Sequence, residues 1–296
     1  MSDRFVPYSD ETQAKDLRER SLVVVRRPYD SLLKEDLRAP RPYQALAARK
    51  GNEIKKERRT EIRLWEMDGR TIYFKHYLYF GMSQLKTLLS RTPKARREYL
   101  TLGYLRHMGI PAVEAVGWGA QWDRLGGVHR CFVLTIKEEG TLDFRAWLKK
   151  TEPEPGFRDK TTAILSKLAE FFRRMHGQGF FLLRPNTRNV LIRRPEDPDP
   201  DVLFLDQPYA RFLSGPGARW GQLQDLSTLL GGTLRHTDEG ILDDFLKVYL
   251  PDPLGASPET LLRRLKLFLQ ARDSEGQAAK LMLRLRALAP AFLDKS

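Results

Sequence analysis

The chain of 296 residues contains one cysteine, Cys131. A single thiol cannot close an internal disulfide, and together with five scattered histidines it offers no cluster at metal-ligand spacing. Cys131 lies within CFVLTI, where a free cysteine is expected to be a buried strand thiol. No apolar run approaches the roughly 18 residues that a membrane-crossing helix needs. The opening MSDRFVPYSDETQ places acidic and polar residues where a secretory leader has a basic start and an apolar core. These absences predict a cytoplasmic protein. Acidic residues are also in short supply, 38 against 51 Lys and Arg, for a formal net charge of +13. Such a surface attracts nucleic acid, an anionic membrane or a phosphorylated substrate alike. No recognition-helix motif or aromatic-interleaved basic groove is present, so no specific nucleic-acid partner is expected. The basic, amphipathic LLRRLKLFLQAR suits an anionic membrane surface and suits equally a helix packed on its own domain.

What is present is ample core material. With 41% hydrophobic and 30% charged residues, the chain can build one large domain or two lobes. Residues 1–45 are polar apart from RSLVVVRRPYDSLL and are expected to form an irregular N-terminal extension. From Thr60, TEIRLWEMDGRTIYFKHYLYF alternates polar with β-branched and aromatic residues, and MDGR separates the two runs as a hairpin turn does. MSQLKTLLSRTPKARREYLTLGYLRHMGI then repeats apolar residues at helical spacing until Gly109 and Pro111. Two further strands are expected over AVEAVGWGAQ and HRCFVLTIKE. Beyond the glycine of EEGT the pattern turns helical: LDFRAWLKK, TTAILSKLAEFFRRMHGQG, SPETLLRRLKLFLQARD and a final QAAKLMLRLRALAPAFL. Short strands in FFLLRPNTRNVLIRR and VLFLDQ interrupt the helices. The expected fold class is α+β and bilobal. A β-rich N-lobe with one main helix spans residues 46–138, and a mainly helical C-lobe spans residues 139–296.

One spacing pattern carries chemistry. MHGQGFF, then NVLI, then FLDQ follow the layout of a protein kinase: a helix ending in His-x-x-Gly, an apolar pair, the catalytic loop, an asparagine before a strand, and an aspartate at a strand end. The residues are His176, Gly179, Phe180, Phe181, Asn189 and Asp206. Asn189 and Asp206 offer hard oxygen donors of the kind that hold magnesium against nucleotide phosphates. Taken singly, they read equally well as a turn asparagine and a strand-terminal cap. Upstream, Lys75 ends the strand TIYFK and Glu98 follows on the long helix, in the order of a phosphate-binding lysine and the glutamate that holds it. A solvated lysine and an exposed helix carboxylate would look the same.

With these residues in place the chain resembles the Kdo/WaaP lipopolysaccharide kinase family. KGNEIKKERRTEIRLWEMDGRTIYFKHY, RREYLTLGYLRHMGIPAVEAVGWG, RRMHGQGF and RWGQLQDLSTLL carry the resemblance over residues 50–250. It implies a protein-kinase-like fold and ATP-dependent phosphorylation of heptose or Kdo sugars. ATP and Mg2+ become the expected cofactors, with Lys75 and Glu98 at the nucleotide and Asn189 and Asp206 at the metal. Asp225, on the helix after Asp206, matches the aspartate that ties down the catalytic-loop backbone, and His176 takes a structural place beside it. The implied partners are ATP, the lipopolysaccharide core or the anionic inner-membrane surface of a Gram-negative cell, and a core-biosynthesis enzyme.

The departures bear on activity. Where the family writes His-x-Asp, this chain writes Leu182, Leu183, Arg184, and no Asp or Glu occurs between His176 and Glu196. An arginine is always protonated and cannot accept the substrate's hydroxyl proton; a positioned base is worth roughly 10² to 10⁴ in rate. Arg184 therefore occupies the catalytic position without its chemistry, and its charge suggests a pairing with Asp206 in place of magnesium. Gln207 and Pro208 follow the metal aspartate, and the first strands offer only Gly51 instead of a run of closely spaced glycines. The expected function is that of a pseudokinase with a regulatory or scaffolding role in core modification. Its alternatives are an active kinase of non-standard mechanism and an anionic-membrane-binding module.

Overall fold

The computed structural model describes residues 10–273 apart from Arg91 and Pro198. The helix expected over QAAKLMLRLRALAPAFL lies outside the described residues. The chain divides after Glu139 into two compact units.

The first unit is a seven-stranded antiparallel sheet. Its strands are β1 (Glu11–Asp16), β2 (Ser21–Arg26), β3 (Asn52–Glu57), β4 (Thr60–Met67), β5 (Arg70–Leu78), β6 (Ala115–Trp122) and β7 (Val128–Ile136). They lie in the order β1-β2-β6-β7-β5-β4-β3. The MDGR hairpin forms between β4 and β5, with Met67 opposite Arg70. Asp68 and Gly69 both have positive φ, 48° and 69°, the backbone of a two-residue turn that matches strand twist.

Strand alternation divides the side chains between two layers. One face of the sheet carries Trp65, Phe74, Phe132 and Leu134, which pack with Val23, Val25, Tyr43 and Leu46 into a core. Trp65 stacks on Phe74 at 4.7 Å between ring centroids. Each such fully buried side chain contributes about 1.5–3 kcal/mol. The opposite face receives α4 (Lys94–His107), whose Ala95, Tyr99 and Leu102 are buried and which packs on β6 and β7.

The N-terminal segment differs from the irregular extension expected of it. Residues 11–26 form β1 and β2, and β2 pairs with β6 from Ser21 opposite Gln121 to Val25 opposite Gly117. α1 (Lys34–Arg38) and α2 (Pro42–Ala48) follow, and Leu33, Tyr43 and Leu46 are fully buried. Val23, Val24 and Val25 are all buried, so β2 shows no polar-apolar alternation to mark it as a strand. The long helix expected after β5 is two helices, α3 (Met82–Ser90) and α4, with Pro93 as the N-cap of the second. Proline lacks the donor that a helix interior requires and disfavours helical backbone at Thr92 before it.

The second unit is mainly helical. It comprises β8 (Thr141–Asp143), α5 (Phe144–Thr151), α6 (Phe157–Gly177), β9 (Phe180–Phe181), a 3-10 turn (Thr187–Asn189), β10 (Val190–Arg193), β11 (Asp201–Phe204), β12 (Arg211–Phe212), α7 (Gly215–Thr233), α8 (Gly240–Tyr249) and α9 (Pro258–Asp273). α5 is started by Asp143, whose carboxylate accepts the Ala146 N–H at 2.9 Å. α6 buries Ile164, Leu165, Leu168, Phe172 and Met175, a helical-period stripe, and packs against α8. α9 buries Leu261, Leu265 and Phe268, so much of its apolar face is spent inside its own unit.

Candidate functional site

Cys131 sits fully buried on β7, and burial pushes its thiol up to about 11. That places it among structural thiols and away from reactive ones.

In the first unit the period of β5 decides the geometry. Phe74 and His76 point into the core described above, and Lys75 and Tyr77 point to the face that α4 covers. The Lys75 ammonium lies 3.6 Å from Oε1 of Glu98, and the Tyr77 hydroxyl donates to Oε2 of the same carboxylate at 2.7 Å. Glu98 is only 2% exposed, so its charge is held in a pocket where a cation and a hydroxyl compensate for lost water. The structure thus brings Lys75 and Glu98 together, and adds Tyr77. The turn from β3 to β4 is Arg58-Arg59, whose guanidinium groups lie 5.0 and 5.4 Å from the centre of the Phe80 ring.

In the second unit the segment after β9 is held from α7. The Asp225 carboxylate is completely buried and accepts the backbone N–H groups of Leu182, at 2.8 Å, and Leu183. His176 lies 3.2 Å from the same carboxylate through Nε2, and its Nδ1 meets the Tyr249 hydroxyl at 2.7 Å. Burial pushes the Asp225 carboxyl up, against the hydrogen bonds from His176 and the two backbone N–H groups. The network continues outward. Gln222 donates to the Tyr249 hydroxyl and to Asp252, and Arg219 forms a 2.6 Å ion pair with Asp252.

The fit of α7 beneath this loop depends on Gly221. A Cβ there would lie 2.8 Å from the Phe181 ring and 2.9 Å from Leu213, closer than carbon atoms pack. Asp225 is one turn further on the same helix face and therefore reaches the loop backbone. Leu183 has a φ of 66°, a left-handed conformation that costs a branched side chain about 1–3 kcal/mol. The paired acceptors on Asp225 hold it there.

Arg184 follows Leu183 and is exposed. Its guanidinium lies 4.6 Å over the Tyr209 ring, a cation–π contact. Among the described residues no ion pair joins Arg184 to Asp206, which corrects the expected pairing; at this site the flat guanidinium is held by an aromatic face. Asn189 and Asp206 do come together. The Asn189 amide donates to the Asp206 carbonyl at 3.0 Å, and the Leu205 N–H donates to the Asn189 carbonyl at 3.0 Å. Asp206 also has left-handed backbone, φ 48°. With its NH2 engaged, the Asn189 side chain keeps its amide oxygen as the second hard donor of the pair, after the Asp206 carboxylate. One carboxylate and one amide oxygen make too small a set to hold a metal ion alone. They fit magnesium, which keeps waters and takes its remaining ligands from nucleotide phosphates. No cluster of three or more His, Cys, Asp or Glu side chains able to hold a metal occurs among the described residues.

Sequence reasoning missed Tyr77, Tyr249, Gln222 and the Arg219–Asp252 pair. The spacing of Lys75 and Tyr77 along one strand face was available as a signal. Tyr249 and Asp252 reach the network only through the packing of α8 and the chain beyond it.

Comparisons with known proteins bear on the family and the fold. The model of the lipopolysaccharide kinase (Kdo/WaaP) family matches residues 44–249. A solved structure described as WaaP in complex with acyl carrier protein aligns with a TM-score of 0.58 at 18% identity. The alignment covers 90% of this chain and 99% of that one. No curated protein matches. No described helix is long and apolar enough to cross a membrane.

Proposed function

Because the chain belongs to the lipopolysaccharide kinase (Kdo/WaaP) family, whose fold is α+β and protein-kinase-like, we propose that it is a degenerate member that binds nucleotide and acts by regulation instead of sugar phosphorylation. The observation that carries the reading is Arg184. The buried His176–Asp225 network that positions a catalytic loop is intact, yet the residue it presents after Leu183 is an exposed guanidinium stacked on Tyr209. A permanently protonated group cannot take the acceptor hydroxyl's proton, so the loop geometry survives without the base.

In this reading Lys75, held by Glu98, contacts the nucleotide phosphates. Asn189 and Asp206, in the second unit, supply the protein's share of a magnesium site. Magnesium would neutralise phosphate charge there. The stacking of Arg184 on Tyr209 supports magnesium-assisted binding over replacement of the metal by arginine. The regulatory role requires a partner. The WaaP of the solved structure is described with an acyl carrier protein, which makes such a carrier, beside a core-biosynthesis enzyme, a partner to test for this chain. The burial of Leu261, Leu265 and Phe268 leaves the membrane-module reading resting on charge. We place the protein in the cytoplasm, at the inner-membrane surface where core sugars are modified.

The test is a thermal-shift titration with ATP, with and without magnesium, on the wild type, Lys75→Ala and Asp206→Ala. The expected result is stabilisation that is larger with magnesium, lost in Lys75→Ala, and insensitive to magnesium in Asp206→Ala. A parallel transfer assay with lipopolysaccharide core should show no phosphate incorporation, and Arg184→Asp should raise it. Robust transfer by the wild type would overturn the pseudokinase reading, and no ATP shift under any condition would overturn nucleotide binding.

A further inference from the structure

The same face of α7 that carries Gly221 and Asp225 continues to Thr228 and Gly232, and there it borders a second feature of the loop. A pocket of about 170 Å³ opens between α5, the 3-10 turn and the end of α7. By the same measure a single water needs roughly 10–15 Å³, so the space takes a polyatomic group. Three arginines line it: Arg145 from α5, Arg188 from the 3-10 turn and Arg235 from the turn that follows α7. Asn186, Thr187 and Thr228 add amide and hydroxyl groups. None of the three guanidinium groups forms an ion pair or a side-chain hydrogen bond with another described residue. That contrasts with Arg158, Arg194 and Arg219 of the same unit, each of which pairs with a carboxylate. His236, which also lines the pocket, lies 2.7 Å from the Glu152 carboxylate.

Three permanent cations facing one polar space without a counter-charge repel one another, and an anion relieves that repulsion. Each guanidinium offers five N–H donors in a planar fork, so the pocket has more donors than the roughly four lone-pair sites of a carboxylate can use. A phosphomonoester matches better, with about −1.5 to −2 charges and three acceptor oxygens. We propose that this pocket binds a phosphomonoester group, and that its ligand is a phosphorylated saccharide seated beside the degenerate loop. Arg188 immediately precedes Asn189, and Thr187 is buried beneath it, so a bound phosphate rests on the same short segment that presents Arg184. The saccharide part of the ligand rests on the family reading above; the phosphomonoester part rests on the pocket alone.

The experiment is isothermal titration of the full chain at low salt with a hexose 6-phosphate, the unphosphorylated hexose and inorganic phosphate, with anionic phosphatidylglycerol vesicles as a separate arm. Variants are Arg188→Gln, Arg235→Gln, their double variant and Lys75→Ala. The expected result is one saturable site for hexose phosphate and for phosphate, and none for the free hexose. Affinity should fall by about tenfold or more in each arginine variant, as loss of a charge-assisted contact implies. Melting temperatures without ligand should be unchanged in those variants because both side chains are exposed. Lys75→Ala should bind hexose phosphate like the wild type. Undiminished binding in the double variant, or no saturable binding, overturns the proposal. Binding lost in Lys75→Ala but kept in the arginine variants would assign the phosphate to the nucleotide site, sinking the pocket and leaving nucleotide binding intact. Conversely, arginine-dependent phosphate binding without any ATP shift would keep the pocket and reject nucleotide binding. Vesicle binding that depends on the two arginines, with no hexose phosphate bound, would overturn the saccharide ligand in favour of a lipid headgroup.

Discussion

Asp225 accepts the backbone N–H of Leu183, and Leu183 has the left-handed φ of 66°. A buried carboxylate on α7 thus holds a strained residue one position before Arg184. Asp225→Asn keeps the shape but replaces the anionic acceptor with an amide that brings its own donors. Hydrogen bonds to charged groups are worth about 1.5–3 kcal/mol, so a loss of about 3 kcal/mol is expected across the two N–H groups and His176. Urea unfolding at neutral pH measures it, and an unchanged midpoint would show that the loop holds its own conformation.

Lys75 and Glu98 form a largely buried pair at 3.6 Å. Lys75→Ala leaves the Glu98 carboxylate in place without that cation, at an expected cost of about 2–3 kcal/mol. Adding Glu98→Gln removes the buried charge that has lost this cation, so the double variant should be more stable than Lys75→Ala alone. Additive losses in a thermal or urea double-mutant cycle would show that the two side chains are not coupled.

His76 is buried in the first unit, with the Tyr43 hydroxyl 3.0 Å from Nε2 and Glu61 at 3.7 Å from Nδ1. Burial lowers its pKa to about 4 despite the opposing pull of Glu61. Below pH 6.5 the unfolded chain takes up a proton that the folded chain refuses, so the unfolded state binds more protons. This contribution to stability is complete above pH 6.5 and is lost progressively as pH falls toward 4, by about 3 kcal/mol in all. Melting curves between pH 7 and 4 should show a shallower fall in His76→Gln than in the wild type. Parallel curves would remove His76 as the cause.

Val23 is fully buried on β2. Val23→Ala is expected to cost about 2–3 kcal/mol through lost methyl burial and the cavity left behind. An effect below 0.5 kcal/mol would mean that residues 11–26 are an appendage and not part of the first unit's core.

Much of the candidate site was legible in spacing alone. His176, Gly179, Asn189 and Asp206 fall at the intervals that a helix end, a loop and two short strands impose, and Asp225 follows at helical distance. The β4–β5 hairpin was legible because Asp-Gly at positive φ leaves a local signature. The first strands were not: a VVV run buried on both faces carries no period, and only the pairing of β2 with β6 reveals it. The break at Pro93 was written in the chain but masked by apolar repeats on either side.

The sequence by itself determined which chemical groups the loop carries. Arg184 follows Leu183 in that loop, and no fold can make a guanidinium accept a proton. Only the tertiary structure decided where that arginine points. Stacking on Tyr209 and pairing with Asp206 are both open to a long, flat, charged side chain, and the choice depends on which surface the surrounding packing offers. The same holds for Arg145, Arg188 and Arg235. They are far apart or unremarkable along the chain, and become one cationic pocket because α5 and α7 pack on the same 3-10 turn.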